Sequence, residues 1–99
     1  MQSYDLTLAA EEDLRSIWRC TYKKWGFNEA ETYFDQIEAC CEAVGDGRAR
    51  SKTLSELPDG VHIHRCEHHY IAYLDEDRPI IIAILHERMH FVRRLQIRL

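Results

Sequence analysis

Ninety-nine residues with 45% hydrophobic content, two prolines and four glycines are enough for a chain to close around its own core, and they exclude disordered and fibrous classes. The longest apolar run, Ile80 to Leu85, is six residues and far short of a membrane-spanning helix. The formal charge of -4 is unevenly distributed: residues 1–46 hold ten acids against four bases, and residues 47–99 seven acids against nine bases. That asymmetry argues against a protein that coats nucleic acid and for a basic face kept for one partner.

Residues 1–15 carry Asp5, Glu11, Glu12 and Asp13 and lack an apolar stretch behind a basic start, so no export leader and a cytoplasmic location are expected. Tyr4 to Leu8 alternates as a short first strand. Thr7 then suits the cap of a helix whose first turn carries Glu11, Glu12 and Asp13. Leu14, Ile17, Trp18, Thr21, Tyr22 and Trp25 recur at helical spacing and predict one buried stripe, stopped by Gly26. Asn28, with Glu31 three residues on, predicts the start of a second helix. Ala30, Tyr33, Phe34, Ile37, Cys41 and Val44 carry it to about Gly45. A connection of two or three residues makes the pair an antiparallel hairpin, and both stripes read as core.

Residues 45–60 read as a loop, basic from Gly47 to Lys52 and closed by the turn Pro58-Asp59-Gly60. Three strands follow at Val61–Cys66, His69–Leu74 and Ile80–His86, joined by short turns as an antiparallel meander. The turn at Glu67-His68 lacks Gly or Asn, which leaves its register open. Ile80 to Leu85 shows no alternation and reads as a strand buried on both faces. Arg88 to Leu99 holds four arginines, one histidine and no acid, as a last helical turn or an extended tail. The expected architecture is α+β in two layers: an N-terminal strand, an antiparallel α-hairpin on an antiparallel sheet and a short C-terminal segment, forming one domain over residues 1–99.

Cys20, Cys40, Cys41 and Cys66 form no C-x-x-C pair, and adjacent Cys40 and Cys41 suit a disulfide framework poorly. Reduced thiols, mostly packed in helices, are expected. His62, His64 and Cys66 share a strand face, with His68 and His69 beside them, but no zinc spacing is matched. A polar strand edge is the preferred reading, and no metal or other cofactor is expected. His86, His90, Arg65, Arg88, Tyr70 and Tyr73 are residue types suited to acid–base cleavage of RNA. Met89, Phe91, Val92, Leu95, Ile97 and Leu99 alternate with the arginines of the tail in a mixture that suits a protein interface.

The chain resembles the ParE toxins of the RelE/ParE superfamily, and the plasmid-borne type most. Asp13-Leu14, Ile17-Trp18, Thr21 and Trp25-Gly26 follow the first-helix pattern D-L-x-x-I-W-x-x-T-x-x-x-W-G, and Ala30, Tyr33 and Ile37 follow that of the second helix. Pro58-Asp59-Gly60, then His69 to Tyr73 as H-x-I-x-Y, then Leu85 to Met89 as L-H-x-x-M complete the order. Cys20, His62 and His90 depart from it, standing where Tyr, Arg and Asp are frequent. The resemblance implies the toxin of a type II toxin–antitoxin system serving plasmid maintenance. Such a toxin inhibits DNA gyrase without being an enzyme, and a ParD-like antitoxin neutralises it in a heteromeric complex, with no sequence-specific DNA binding by this chain alone and no membrane partner. The alternative is a RelE-like ribosome-dependent mRNA endonuclease. On the resemblance, His86, Arg88, Met89, Arg93, Arg94 and Arg98 are the candidates for gyrase inhibition. Arg65, Tyr70, Tyr73, Arg88, Phe91 and Leu95 are those for antitoxin binding.

Overall fold

Thr7 ends the first strand and begins the first helix with a single side chain. Its Oγ1 accepts the Ala10 N–H at 3.1 Å, as an N-cap should, while its own N–H donates to the Ile81 carbonyl at 3.0 Å. The computed structural model describes residues 3–99. In chain order it contains β1 (Asp5–Leu6), α1 (Leu8–Trp25), α2 (Phe27–Gly45), β2 (Val61–Cys66), β3 (His69–Leu74), β4 (Ile80–His86) and α3 (Phe91–Arg98). The strands form one sheet in the order β1-β4-β3-β2. β2, β3 and β4 are antiparallel as expected, with the bounds expected. β1 is shorter than the Tyr4–Leu8 strand and runs parallel to β4, so the sheet is mixed.

One residue turns the hairpin. Gly26, at φ 91°, caps the end of α1 and precedes the start of α2, a backbone that side-chain-bearing residues avoid. The second helix therefore starts at Phe27 instead of Asn28 and has no side-chain cap, and the connection is one residue where two or three were expected. At its far end α2 passes close to the chain's beginning. A Cβ at Gly45 would meet the Ser3 carbonyl oxygen at 2.8 Å, which only glycine avoids.

The apolar run in β4 has a specific cause. The β3–β4 register passes from Ala72↔Ala83 directly to Tyr73↔Ile81, leaving Ile82 as an extra, bulged residue. Alternation is thereby broken. Ile81 and Ile84 face the hairpin with Ile17, Ile37, Cys41 and Ile71. Ile82, Ala83 and Leu85 face the other way, with Leu57, Ile63 and Leu95. The second face is covered by α3, which settles the conformation of the C-terminal segment as helix.

Two expectations fail here. The α1 stripe is core only in part: Ile17 is buried, but Tyr22 and Trp25 stand 49% and 70% exposed because α1 outruns the sheet beneath it. The cysteines are not all reduced, since Cys40 of α2 and Cys66 of β2 are joined in a disulfide. Neighbouring positions on a helix point about 100° apart, so Cys40 faces the strand while Cys41 enters the core, 1% exposed, where burial and then Glu38 and Glu42 push its thiol up to about 12. Adjacency did not prevent a disulfide. It ensured that only one of the two cysteines could form it.

Candidate functional site

The short pairing of β1 with β4 makes the place of the one tail arginine that is not free. β1 pairs with β4 only at Ile80 and Ile81, so beyond that point the β4 edge needs other partners. Asp13 of α1 accepts the Ile84 N–H at 2.9 Å. Arg98 of α3 donates to the Ile82 carbonyl at 2.9 Å and grips Asp13 with two bonds, 2.7 and 2.8 Å. The Asp13 side chain is only 14% exposed, and its hydrogen bonds and charge raise the Arg98 guanidinium above its ordinary pKa. Arg98 therefore closes the fold, and Leu95, 1% exposed in the second core cluster, anchors the same helix. Of the eleven site candidates these two are turned inward, and so is Tyr73.

Tyr70 and Tyr73 are three residues apart on β3 and so lie on opposite faces. Tyr73 is buried on the hairpin side and stacks on His62 at 5.5 Å. Tyr70 lies on the α3 side, its ring stacked on Phe91 at 4.4 Å with the Arg65 guanidinium 5.7 Å from its centroid. Met89 is half-buried beneath this group, while Arg88, Arg93 and Arg94 are exposed. Among the described residues none of these three arginines has a carboxylate partner. Arg65, Tyr70, Arg88, Met89, Phe91, Arg93 and Arg94 thus belong to one side of the molecule, an aromatic centre with a cationic border.

A second cluster lies at the adjoining strand ends. Glu87 receives Arg65 on one carboxylate oxygen at 2.6 Å and His68 Nδ1 on the other at 3.1 Å. His68 and then Arg65 hold the Glu87 carboxyl below its usual range. Tyr33 of α2 takes the His68 N–H at 3.2 Å and lies 2.7 Å from His69 Nδ1. Burial, then the charges of His86 and His68, lowers the His69 pKa to about 4, so its ring is neutral and we assign it as acceptor of the phenol proton. His86 packs edge-on against His69 at 5.0 Å and accepts the Arg88 N–H on Nδ1 at 3.0 Å. Sequence reasoning singled out none of Tyr33, Glu87 and Asp13 as site-forming. The one available signal was Tyr33 itself, a hydroxyl on an otherwise apolar helix stripe.

The histidines and cysteine that share the β2 face are each engaged elsewhere. Cys66 is bonded to Cys40, His64 Nδ1 donates to the Arg50 carbonyl at 2.7 Å, and His62 Nε2 is 3.5 Å from Asp75. Among the described residues no three His, Cys, Asp or Glu side chains converge as metal ligands.

On the hairpin's outer side an open groove of about 610 Å³ has Leu6, Leu14, Trp18 and Phe34 as apolar lining and Glu11, Arg15, Arg19 and Glu31 at its rim. Trp18 stacks on Tyr22 at 5.1 Å and meets Phe27 edge-on at 6.2 Å. Trp18 thus joins the groove to the exposed aromatics near the hairpin's tip.

Residues 4–91 match the family model described as the ParE toxin of the type II toxin–antitoxin system parDE. Over its full length the chain is 39% identical to Toxin ParE of Escherichia coli, covering 98% of that protein. It is 28% identical to Toxin ParE1 of Mycobacterium tuberculosis, with 93% of this chain and 96% of that protein aligned. Among solved structures it is similar to the chromosomal ParDE TA system from P. aeruginosa. There the TM-score is 0.73 over 87% of this chain and 96% of that one, at 16% identity, which speaks to the fold alone.

Proposed function

The chain belongs to the ParE toxin family of type II toxin–antitoxin systems, and from that premise we propose that it acts by binding: it poisons DNA gyrase and so blocks replication. A ParD-like antitoxin holds it inactive. The observation that carries this reading is the side of the molecule built by β3, β4 and α3. There an aromatic pair, Tyr70 and Phe91, sits inside a border of the unpaired Arg88, Arg93 and Arg94. Buried aromatic anchors with arginine are what protein interfaces draw their energy from, and an unpaired cationic border speeds encounter with an acidic surface.

Within this reading the gyrase-directed residues are His86, Arg88, Met89, Arg93 and Arg94, with Arg98 holding the helix that presents them. The antitoxin covers Arg65, Tyr70, Arg88 and Phe91 with an extended acidic segment, and its amphipathic helix lies in the hairpin groove, whose apolar lining and mixed-charge rim fit one. Tyr73 and Leu95 serve both surfaces from inside the core.

The test is a pair of assays on the purified chain. With gyrase, ATP and supercoiled plasmid, linear DNA should accumulate after protein denaturation, while messenger RNA on translating ribosomes stays intact. Cleaved messenger RNA without trapped gyrase would select the endonuclease reading instead.

A further inference from the structure

The turn between β2 and β3 adopts a backbone its own sequence disfavours. Glu67 sits at φ 54° without the glycine or asparagine such turns select, a left-handed conformation that crowds its own side chain. It is held from outside by one helix at two points. Tyr33 of α2 takes the His68 N–H, and seven residues later on the same helix Cys40 is bonded to Cys66, the residue just before the turn. One attachment is a hydrogen bond and the other is covalent.

The two sulfurs differ in access. Cys66 is 2% exposed, whereas Cys40 is only partly buried at the helix surface. Cys41, the nearest alternative partner in sequence, is sealed in the core, and Cys20 is exposed on α1. A reagent thiol or disulfide therefore reaches the pair through Cys40.

We propose that Cys40 and Cys66 form a reversible thiol–disulfide switch that fastens α2 to the β2–β3 turn when oxidised and releases it when reduced. Its chemical partner is a low-molecular-weight disulfide of the glutathione class. In the oxidising direction the Cys40 thiolate attacks one sulfur of that disulfide, expelling one small thiolate and leaving a mixed disulfide on Cys40. The Cys66 thiolate then attacks the Cys40 sulfur and expels the second. Two protein thiols are oxidised, one small disulfide is reduced to two thiols, and the two protons pass from the protein to the leaving thiolates. The Arg65, Glu87 and His68 cluster stands directly on this turn, so in the released form α2 holds the turn through the Tyr33 hydrogen bonds and no longer through a covalent bond. The inference does not depend on which target the protein binds.

The experiment equilibrates the purified chain in buffers of graded reduced and oxidised glutathione, alkylates with iodoacetamide and reads the modified residues by mass spectrometry, with thermal melts at both ends of the series. Oxidising buffers should protect Cys40 and Cys66 together at a mass two hydrogens lower while Cys20 reacts throughout. Reducing buffers should make Cys40 reactive in the native protein. The oxidised form should melt at least about 5 °C higher, as expected for closing a loop of this length. That difference should vanish in Cys40→Ser, and also in Cys66→Ala should the serine variant fold poorly. The proposal is overturned if Cys40 and Cys66 are alkylated at every ratio, or if glutathione adducts accumulate in place of the internal bond. It is equally overturned if the bond reduces only after unfolding, or if the melts coincide.

Discussion

The two faces of the sheet are held by very different means. One lies under α1 and α2, of 18 and 19 residues, and buries Ile17, Ile37, Ile71 and Ile84 in a continuous cluster. The other is covered by the eight residues of α3 and a loop, through Leu95, Leu57 and the Tyr70–Phe91 stack. An eight-residue helix is too short to be stable in isolation, so α3 depends on Leu95 and on the Arg98–Asp13 pair for its place. The comparison teaches that the arginine-rich tail has divided roles. Its last arginine holds the fold together, and its earlier ones stand exposed without a carboxylate partner among the described residues.

Substitution should expose this inequality most strongly in the cores. Ile37→Ala, at a side chain with 0% exposure, should cost about 3–4 kcal/mol and lower the global melting transition. Leu95→Ala should cost somewhat less, about 2–3 kcal/mol, and act locally. Hydrogen exchange should show α3 deprotected while α1 and α2 keep their protection. Equal loss of protection in all three helices would mean that the faces are one cooperative unit.

Removing Asp13 strands two groups at once, the Ile84 N–H and the Arg98 guanidinium. Asp13→Ala should therefore cost about 2 kcal/mol, and adding Arg98→Ala should cost little more, because both changes break the same pair. A denaturant melt of the two single variants and the double variant gives the coupling directly. Additive losses would remove Arg98 from the structural role given to it.

A smaller effect comes from protons. His69 keeps a pKa near 4 when folded and regains its ordinary value of 6.5 when unfolded, so between those values only the unfolded chain takes up the proton. Its contribution is complete above about pH 6.5 and is lost as pH falls towards 4. Allowing for solvent that still reaches the ring, the loss is about 1–2 kcal/mol. Melts across that window should show this slope in the native chain and a flatter one in His69→Asn.

How far the sequence revealed all this depends on how local each cause was. β2, β3 and β4 could be read to the residue because Pro58-Asp59-Gly60 and short polar turns punctuate them. The separation of Tyr70 from Tyr73 was also present in the alternation of a strand, three positions apart, though it is easily overlooked when both are counted as one residue type. The bulge at Ile82 left a trace, the loss of alternation, but nothing in the six apolar residues says which one is extra. Arg98 finds its partner 85 positions away, and Cys40 finds Cys66 across the gap between a helix and a strand. Such pairings depend on how the layers stack, which residue spacing along the chain does not encode. The hairpin's aromatics misled for a related reason, since helical periodicity marks a stripe without marking where the sheet beneath it ends.

The most direct test of the central claim replaces Arg93 and Arg94 together with alanine. Being exposed and unpaired, they should leave the stability almost unchanged, within about 0.5 kcal/mol. Trapped gyrase–DNA complex in the cleavage assay should nonetheless fall at least tenfold. Full gyrase trapping by a double variant of native stability would contradict the account, because it would leave the free arginines of the tail without a function in binding.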